Sequence, residues 1–326
     1  MNLHLHLPGL LAAKAEGESL HPVTQLELPA LARLLARATV EPVSLSALTG
    51  AALPVAALGA LSHNFPLPGH WFRLDPVELS ADHRGIYLLG CESLGLDTPE
   101  ADAFIAEINA FLAEDGLTLW RGENHAWYLN SPAPVALSTT PLPAVMGRDL
   151  ARFQPEGADA RRWQTLLTEL SMLLHASRAN QARAERRAKP VSGLWLWGEG
   201  DLPATASLPC QSLHTDSAAL TGYARMAGVA HAPLPAAYAD LAGDGAKVVA
   251  VHAGELDGLM RHGEVLAWMQ AVQRWHQAWF APILAALQSG ALESLTLYPG
   301  NGRSYRVRRG DLARFWRRER PLARYL

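Results

Sequence analysis

The stretch Pro190-Val-Ser-Gly-Leu-Trp-Leu-Trp-Gly-Glu-Gly-Asp-Leu-Pro203 constrains the fold more than any other. Gly193 to Trp197 is uncharged, aromatic and short, the pattern of a strand covered on both faces of an α/β sheet. Gly198 and Gly200 flank Glu199 directly after it. This predicts a glycine-lined turn at the strand's carboxyl end, where open α/β sheets form their ligand crevices. Two readings stay open. Trp197, Gly198, Glu199 and Gly200 line a ligand, or the turn merely packs two indoles, because a short Gly-x-Gly is weak evidence by itself.

Other segments offer polar groups to such a crevice. Arg73 and Asp75, two apart in an extended run beginning His70-Trp-Phe, share a face and either pair with each other or frame an anion. Asn180 and Arg183 lie in the basic run Asn180 to Lys189, which reads as a solvated connection or as a contributor to the same crevice. Near the N-terminus Leu3, Leu5 and Leu7 alternate with His4 and His6, a strand ending at Pro8-Gly9. His-x-His there is read either as a metal pair or as the polar face of a strand. Val251-His252 closes another apolar strand, and Glu255 and Asp257 follow.

Helical spacing marks Leu31 to Leu35, Phe104 to Leu112 after a Thr98-Pro99 start, Trp163 to Leu174, a helix capped by Asp216 or Ser217, and Leu266 to Trp279 with a kink before Pro282. Leu117 to Trp120 and Ala126 to Leu129 read as a hairpin turning at Gly122-Glu-Asn124, and residues 131–157 as a long proline-rich connection. The segment from Arg303 onward carries nine arginines against Asp311 and Glu319. It is predicted as an amphipathic helix that buries Leu312, Phe315 and Trp316 and solvates its arginines.

Strands alternating with helices from residue 190 onward predict an α/β sheet, mostly parallel, with helices on both faces. No repeat or linker interrupts the chain, so residues 1–326 read as one domain, with 60–160 a less regular subdomain. The net charge of −3 gives no global reason to expect nucleic acid or a membrane surface. No apolar run approaches the roughly 20 residues of a membrane span. Cys91 and Cys210 form no Cys-x-x-Cys, and a reducing cytoplasm is the expected location.

The succession Asn180-x-x-Arg183, Leu194-Trp-Leu-Trp-Gly-Glu-Gly200, a helix near 217–226, and Val251-His252-Ala-Gly-Glu-Leu-Asp257 resembles the archaeal-type cofactor-independent phosphoglycerate mutases of the alkaline phosphatase superfamily. Trp71 to Leu79 and the Trp-Gly-x-Gly turn bring it closer to a bacterial offshoot, the RpfE-type regulatory proteins. The resemblance implies a three-layer alkaline-phosphatase-like core. It also implies a centre of two divalent metals, such as manganese or zinc, and a Ser or Thr nucleophile. Here the sequence departs from the pattern. Leu7-Pro8-Gly9 stands for the family's Asp-Gly, Leu53 to Gly59 for the nucleophile segment, and Tyr298-Pro-Gly-Asn-Gly302 for a late Asp-His. Only His252 and Asp257 match ligand positions.

Two hard cations require several oxygen and imidazole ligands to offset repulsion and dehydration. The expectation is therefore a non-catalytic relative without a metal cofactor, regulatory or binding a phosphorylated metabolite through Arg73, Asp75, Asn180, Arg183 and the Trp197 to Gly200 segment. The alternatives are an active metal-dependent mutase or phosphohydrolase, and a protein-interaction module using the arginine-rich C-terminus. Oligomeric state stays open.

Overall fold

A computed structural model describes residues 1–11, 26–43, 48–49, 52–66, 68–83, 85–90, 94–123, 125–243, 245–261 and 263–326. Cys91 and the turn residue Asn124 lie outside them. The chain falls into two compact units, residues 1–52 with 205–326, and residues 53–204. The less regular stretch expected at 60–160 belongs to the second.

The first unit opens with β1 (Asn2–His6), α1 (Pro29–Arg37) and β2 (Thr39–Pro42). The chain then builds the second unit from α2 (Val55–Ser62), β3 (His70–Asp82), β4 (Gly85–Gly90), α3 (Thr98–Leu112), β5 (Thr118–Arg121), β6 (Trp127–Ser131), α4 (Leu142–Val145), α5 (Ala160–Ala176), α6 (Arg178–Glu185) and β7 (Gly193–Gly200). It returns to the first unit with β8 (Ser212–Thr215), α7 (Ala218–Met226), β9 (Ala230–Pro233), β10 (Val248–His252), α8 (Glu255–Arg261), α9 (Val265–Trp275), α10 (Ala281–Ser289), β11 (Ser294–Tyr298) and β12 (Arg303–Arg308).

The first unit holds a mixed sheet in the order β2-β12-β11-β1-β10-β8-β9. β1 runs parallel to β10 and β11, and β8 parallel to β10 and β9, while β12 and β2 are antiparallel additions at one edge. Leu3, Leu5, Leu7, Val249, Val251, Leu295 and Leu297 pack with Leu31 and Leu34 of α1 and with Trp268, Trp275 and Trp279 in one apolar cluster. The kink before Pro282 is a π-helical turn, His276–Phe280, joining α9 to α10. A proline cannot donate to the carbonyl four residues back, and widening the turn absorbs that loss. Leu266 was expected inward but is exposed, and Trp268 takes the buried position.

The second unit is built on an antiparallel sheet, β4-β3-β6-β5, with β7 paired to β3. The central apolar stretch of the sequence thus lies here and not in the parallel sheet, so the rule about carboxyl ends of parallel strands does not apply to it. Nor do its glycines form a turn beyond the strand. Trp197 pairs with Arg73 and Gly200 with Trp71, so two residues of β7 face one of β3. This is a β-bulge, and Gly198 at φ +69° supplies its left-handed residue. α3 starts one residue earlier than the sequence suggested. Asp97 accepts from the Glu100 N–H at 2.8 Å, and Glu100 accepts from the Asp97 N–H at 3.1 Å, a reciprocal cap.

Two further expectations are corrected. The run from Asn180 is helix α6, with Asn180 and Arg183 buried, not a solvated connection. The C-terminal segment after Ala313 is not an α-helix, and Phe315 and Trp316 are 82% and 66% exposed. It is tied down by backbone capture instead. Arg317 donates to the Ala38 carbonyl at 2.6 Å, Arg314 to the Arg37 carbonyl at 3.0 Å, and Arg37 to the Arg317 carbonyl. The spacing of Leu312, Phe315 and Trp316 would have required an α-helix with its aromatics inside. These carbonyls at the end of α1 offered the guanidinium groups better partners.

Candidate functional site

Two clusters of polar side chains contain some of the residues singled out in the sequence. The first lies in the antiparallel unit. Arg73 and Asp75 share a face of β3 and pair with each other, Nη2 to Oδ1 at 2.7 Å. Asp75, 1% exposed, also accepts from the Trp127 backbone N–H at 3.1 Å and from the Trp197 indole N–H at 2.7 Å. The Arg73 guanidinium lies 5.0 Å from the Tyr128 ring centroid and 5.2 Å from that of Trp197. Glu199 accepts from the backbone N–H and the hydroxyl of Thr139. Gly200 leaves no room beside Pro54, whose Cβ an added methyl would meet at 2.8 Å. Of the eight residues expected around an anion, Arg73, Asp75 and Trp197 do come together, but around the carboxylate of Asp75.

Asn180 and Arg183 go elsewhere in the same unit. Asn180 bridges Leu174 and Val191, donating to both carbonyls and accepting from the Val191 N–H. Arg183, 1% exposed, donates to Glu100 at 2.8 Å and to the carbonyls of Lys189 and Leu94. Glu100 therefore caps α3 and anchors α6 with the same carboxylate. Burial pushes its pKa up, but the Asp97 N–H together with Arg186 and Arg183 holds it below the ordinary value.

The second cluster lies at the carboxyl edge of the parallel strands. β11, β1, β10 and β8 end level with one another, pairing Tyr298 with His6, His6 with His252, and His252 with Thr215. The connection from β8 runs to β9 on one side and that from β10 to β11 on the other, so these adjacent strands diverge at the kind of point where open α/β sheets form a crevice. The His6 ring stacks on Tyr298 at 4.1 Å between centroids and 5° between planes. His4 Nδ1 lies 3.0 Å from the Tyr298 hydroxyl. Burial, then the neighbouring His252 and His4, drive the His6 pKa down to about 3, so this ring is neutral at ordinary pH. His252 keeps some exposure; its Nδ1 lies 3.3 Å from Thr215 Oγ1 and 3.7 Å from Asp216 Oδ1. Asp216 also accepts from the Gly254 N–H at 3.2 Å.

The loops beyond β1 close on one another. Gly9, at φ +84°, lies so near the α8 backbone that an added Cβ would meet Asp257 N at 2.4 Å, and Gly300 approaches Pro8 and Gly9 closely, where a Cβ would meet the Gly9 N at 3.0 Å. The Gly9 carbonyl accepts the Trp268 indole N–H at 2.9 Å. Asp257 gives its carboxylate to Arg261 at 2.7 Å, so the acid beside His252 is Asp216 and not the sequence-predicted partner. Among the described residues, no three His, Cys, Asp or Glu side chains come together as a metal-binding group. A neutral, stacked His6 and a lone His252–Asp216 pair do not fit the ligand demand of two hard cations. The set offers one partly exposed imidazole beside a hydroxyl and a carboxylate, groups able to accept and donate hydrogen bonds to a polar ligand. Tyr298, Thr215 and Asp216 were not singled out as a site. The available signal was three apolar strands that each close on an aromatic or imidazole ring.

No family model matches the chain. The probable 2,3-bisphosphoglycerate-independent phosphoglycerate mutase of Geobacter sulfurreducens is 25% identical over 138 residues, 42% of this chain and 34% of that protein. The 2,3-bisphosphoglycerate-independent phosphoglycerate mutase of Methanosarcina barkeri is 23% identical over 110 residues, 33% of this chain and 28% of that protein. The match thus spans about a third of the length of these curated relatives. Among solved structures, the PH0037 protein of Pyrococcus horikoshii superposes with a TM-score of 0.54 at 14% identity, over 94% of this chain and 86% of that one, a similarity of fold. Among the described residues no helix is long and apolar enough to cross a membrane.

Proposed function

We propose that this chain is a phosphoglycerate-mutase-like protein that no longer transfers a phosphoryl group and acts as a regulatory or metabolite-binding component. The observation that carries this reading is the composition of the strand-end row. Tyr298, His6, His252 and Thr215 stand side by side, with a neutral aromatic stack where two-metal chemistry needs charged oxygen donors. The loops at Gly9 and Gly300 close tightly over the centre of that edge. His252 and Asp216 keep side-chain exposure of 22% and 41%, and an anionic metabolite would meet that one imidazole. The regulatory role follows the RpfE-type resemblance carried by Trp71 to Leu79 and Trp197 to Gly200.

The test combines metal analysis with a titration. The purified protein should contain no stoichiometric manganese or zinc and show no mutase activity when either is added. Addition of 3-phosphoglycerate should shift the NMR resonances of the His252 ring and leave those of His6 unmoved. Two tightly held metals per chain, with turnover lost on chelation, would sink the proposal.

A further inference from the structure

The C-terminal segment combines three features that the strand-end site does not use. First, Phe315 and Trp316 are strongly exposed and touch only edge to face, with centroids 5.3 Å apart. Second, nine arginines from Arg303 onward face two acids, in a chain whose net charge is −3. Positive charge is therefore concentrated locally on an otherwise acidic protein. Third, an open groove of about 660 Å³ runs between α1, β2 and this segment, lined by Leu35, Val40, Trp316, Arg318, Arg320 and Tyr325 among others. Arg314 and Arg317 are spent on backbone carbonyls and hold the segment in place. Arg318 and Arg320 make no ion pair or hydrogen bond with any described residue, and both are exposed.

Aromatic rings beside guanidinium groups, along an open groove, suit a ligand that alternates flat rings with negative charge. Single-stranded nucleic acid is such a ligand, since every base has a stacking face and every linkage a phosphate. An added peptide strand is a poorer match. β2 is the outermost strand of its sheet but offers only Thr39–Pro42, and Pro42 has no N–H to donate. We infer that this groove binds single-stranded nucleic acid, with Trp316 in its lining and the exposed Phe315 next to it in the chain stacking bases, and Arg318 and Arg320 holding phosphates. The weak global case against nucleic acid, the net charge, does not bear on a local patch.

Fluorescence anisotropy of labelled single-stranded DNA and RNA of one mixed sequence, with a duplex as comparison, tests the inference on the full chain. Both single strands should bind, more tightly than the duplex. The double variant F315A/W316A should weaken binding about tenfold or more with an unchanged circular dichroism spectrum. R318A/R320A should reduce the salt dependence by roughly 0.7 in log–log slope per lost phosphate contact. No binding in low salt, equal affinity for duplex, or indifference to F315A/W316A would overturn it. So would capture of an acidic peptide that competes the oligonucleotide off at lower concentration, since the groove would then belong to a protein partner.

Discussion

Asp75 and His252 both sit in clusters that look functional in the sequence, and they differ in how their polar atoms are satisfied. Around Asp75 two guanidinium N–H groups, a backbone N–H and an indole N–H converge on one carboxylate that water scarcely reaches. Around His252 the neighbours are a hydroxyl and a carboxylate at longer range, and the ring keeps some exposure. A fully partnered charge is committed to holding the fold, because removing the carboxylate would leave its donors buried and unpaired. A loosely partnered one can change its partner. The cluster in the second unit is therefore the committed one, and the strand-end cluster of the first unit is the one whose partners are free to change.

The sharpest way to break this comparison is Asp75→Ala. It strands the Arg73 charge and the Trp197 and Trp127 N–H groups, and urea denaturation should show a loss of about 4 kcal/mol. A loss below about 1 kcal/mol would show that the cluster is not structural.

Arg183→Ala should cost about 3 kcal/mol, somewhat less, because Glu100 is partly exposed and keeps its Arg186 partner. The pH dependence gives an independent check. The Glu100 pKa is depressed in the folded state, so its contribution is present above the ordinary carboxylate pKa and is lost as pH falls through the depressed value. Glu100→Gln should flatten the acid limb of the stability curve.

The contrasting cluster titrates the other way round in charge. His6 is neutral when folded, with a pKa near 3, whereas an unfolded histidine protonates near 6.5. The unfolded state then binds the extra proton between these values, so stability is full above about pH 6.5 and falls as pH drops toward 3. The loss at pH 5 is on the order of 2 kcal/mol, and His6→Asn should remove that component. Replacing His252 should not, and equal effects from the two would blur the distinction drawn above. The smallest expected change is in the tail, where F315A/W316A should alter stability by no more than about 0.5 kcal/mol. A loss of several kcal/mol would return these rings to a core.

Local chemistry was legible in the sequence and placement was not. The alternation of Leu3, Leu5 and Leu7, the spacing of Trp163 to Leu174 and the proline after the π turn each act within one element, and their strands and helices are present. Arg73 and Asp75 were readable as a pair because their separation on one strand fixes a shared face. Assigning Gly193 to Trp197 to the parallel sheet failed because an apolar aromatic strand looks the same in either kind of sheet, and only its partner β3 decides. Arg183 failed for a related reason. Nothing nearby in sequence reveals that Glu100 waits across the unit to receive it. The strand-end row depends on four strands ending in register, which no single stretch records.

The interrupted order of the first unit also bears on how the protein is made. β1 emerges first, yet its two neighbours, β10 and β11, are residues 248–252 and 294–298. At about 5 to 20 residues per second of translation, its exposed leucines wait on the order of ten seconds to a minute for a hydrogen-bonding partner. The second unit is one unbroken stretch and completes meanwhile. Folding thus starts in the middle of the chain, and the earliest strand is among the last to be paired. A nascent chain paused after residue 204 would present a finished antiparallel unit trailing an unpaired apolar strand, a natural substrate for a ribosome-associated chaperone.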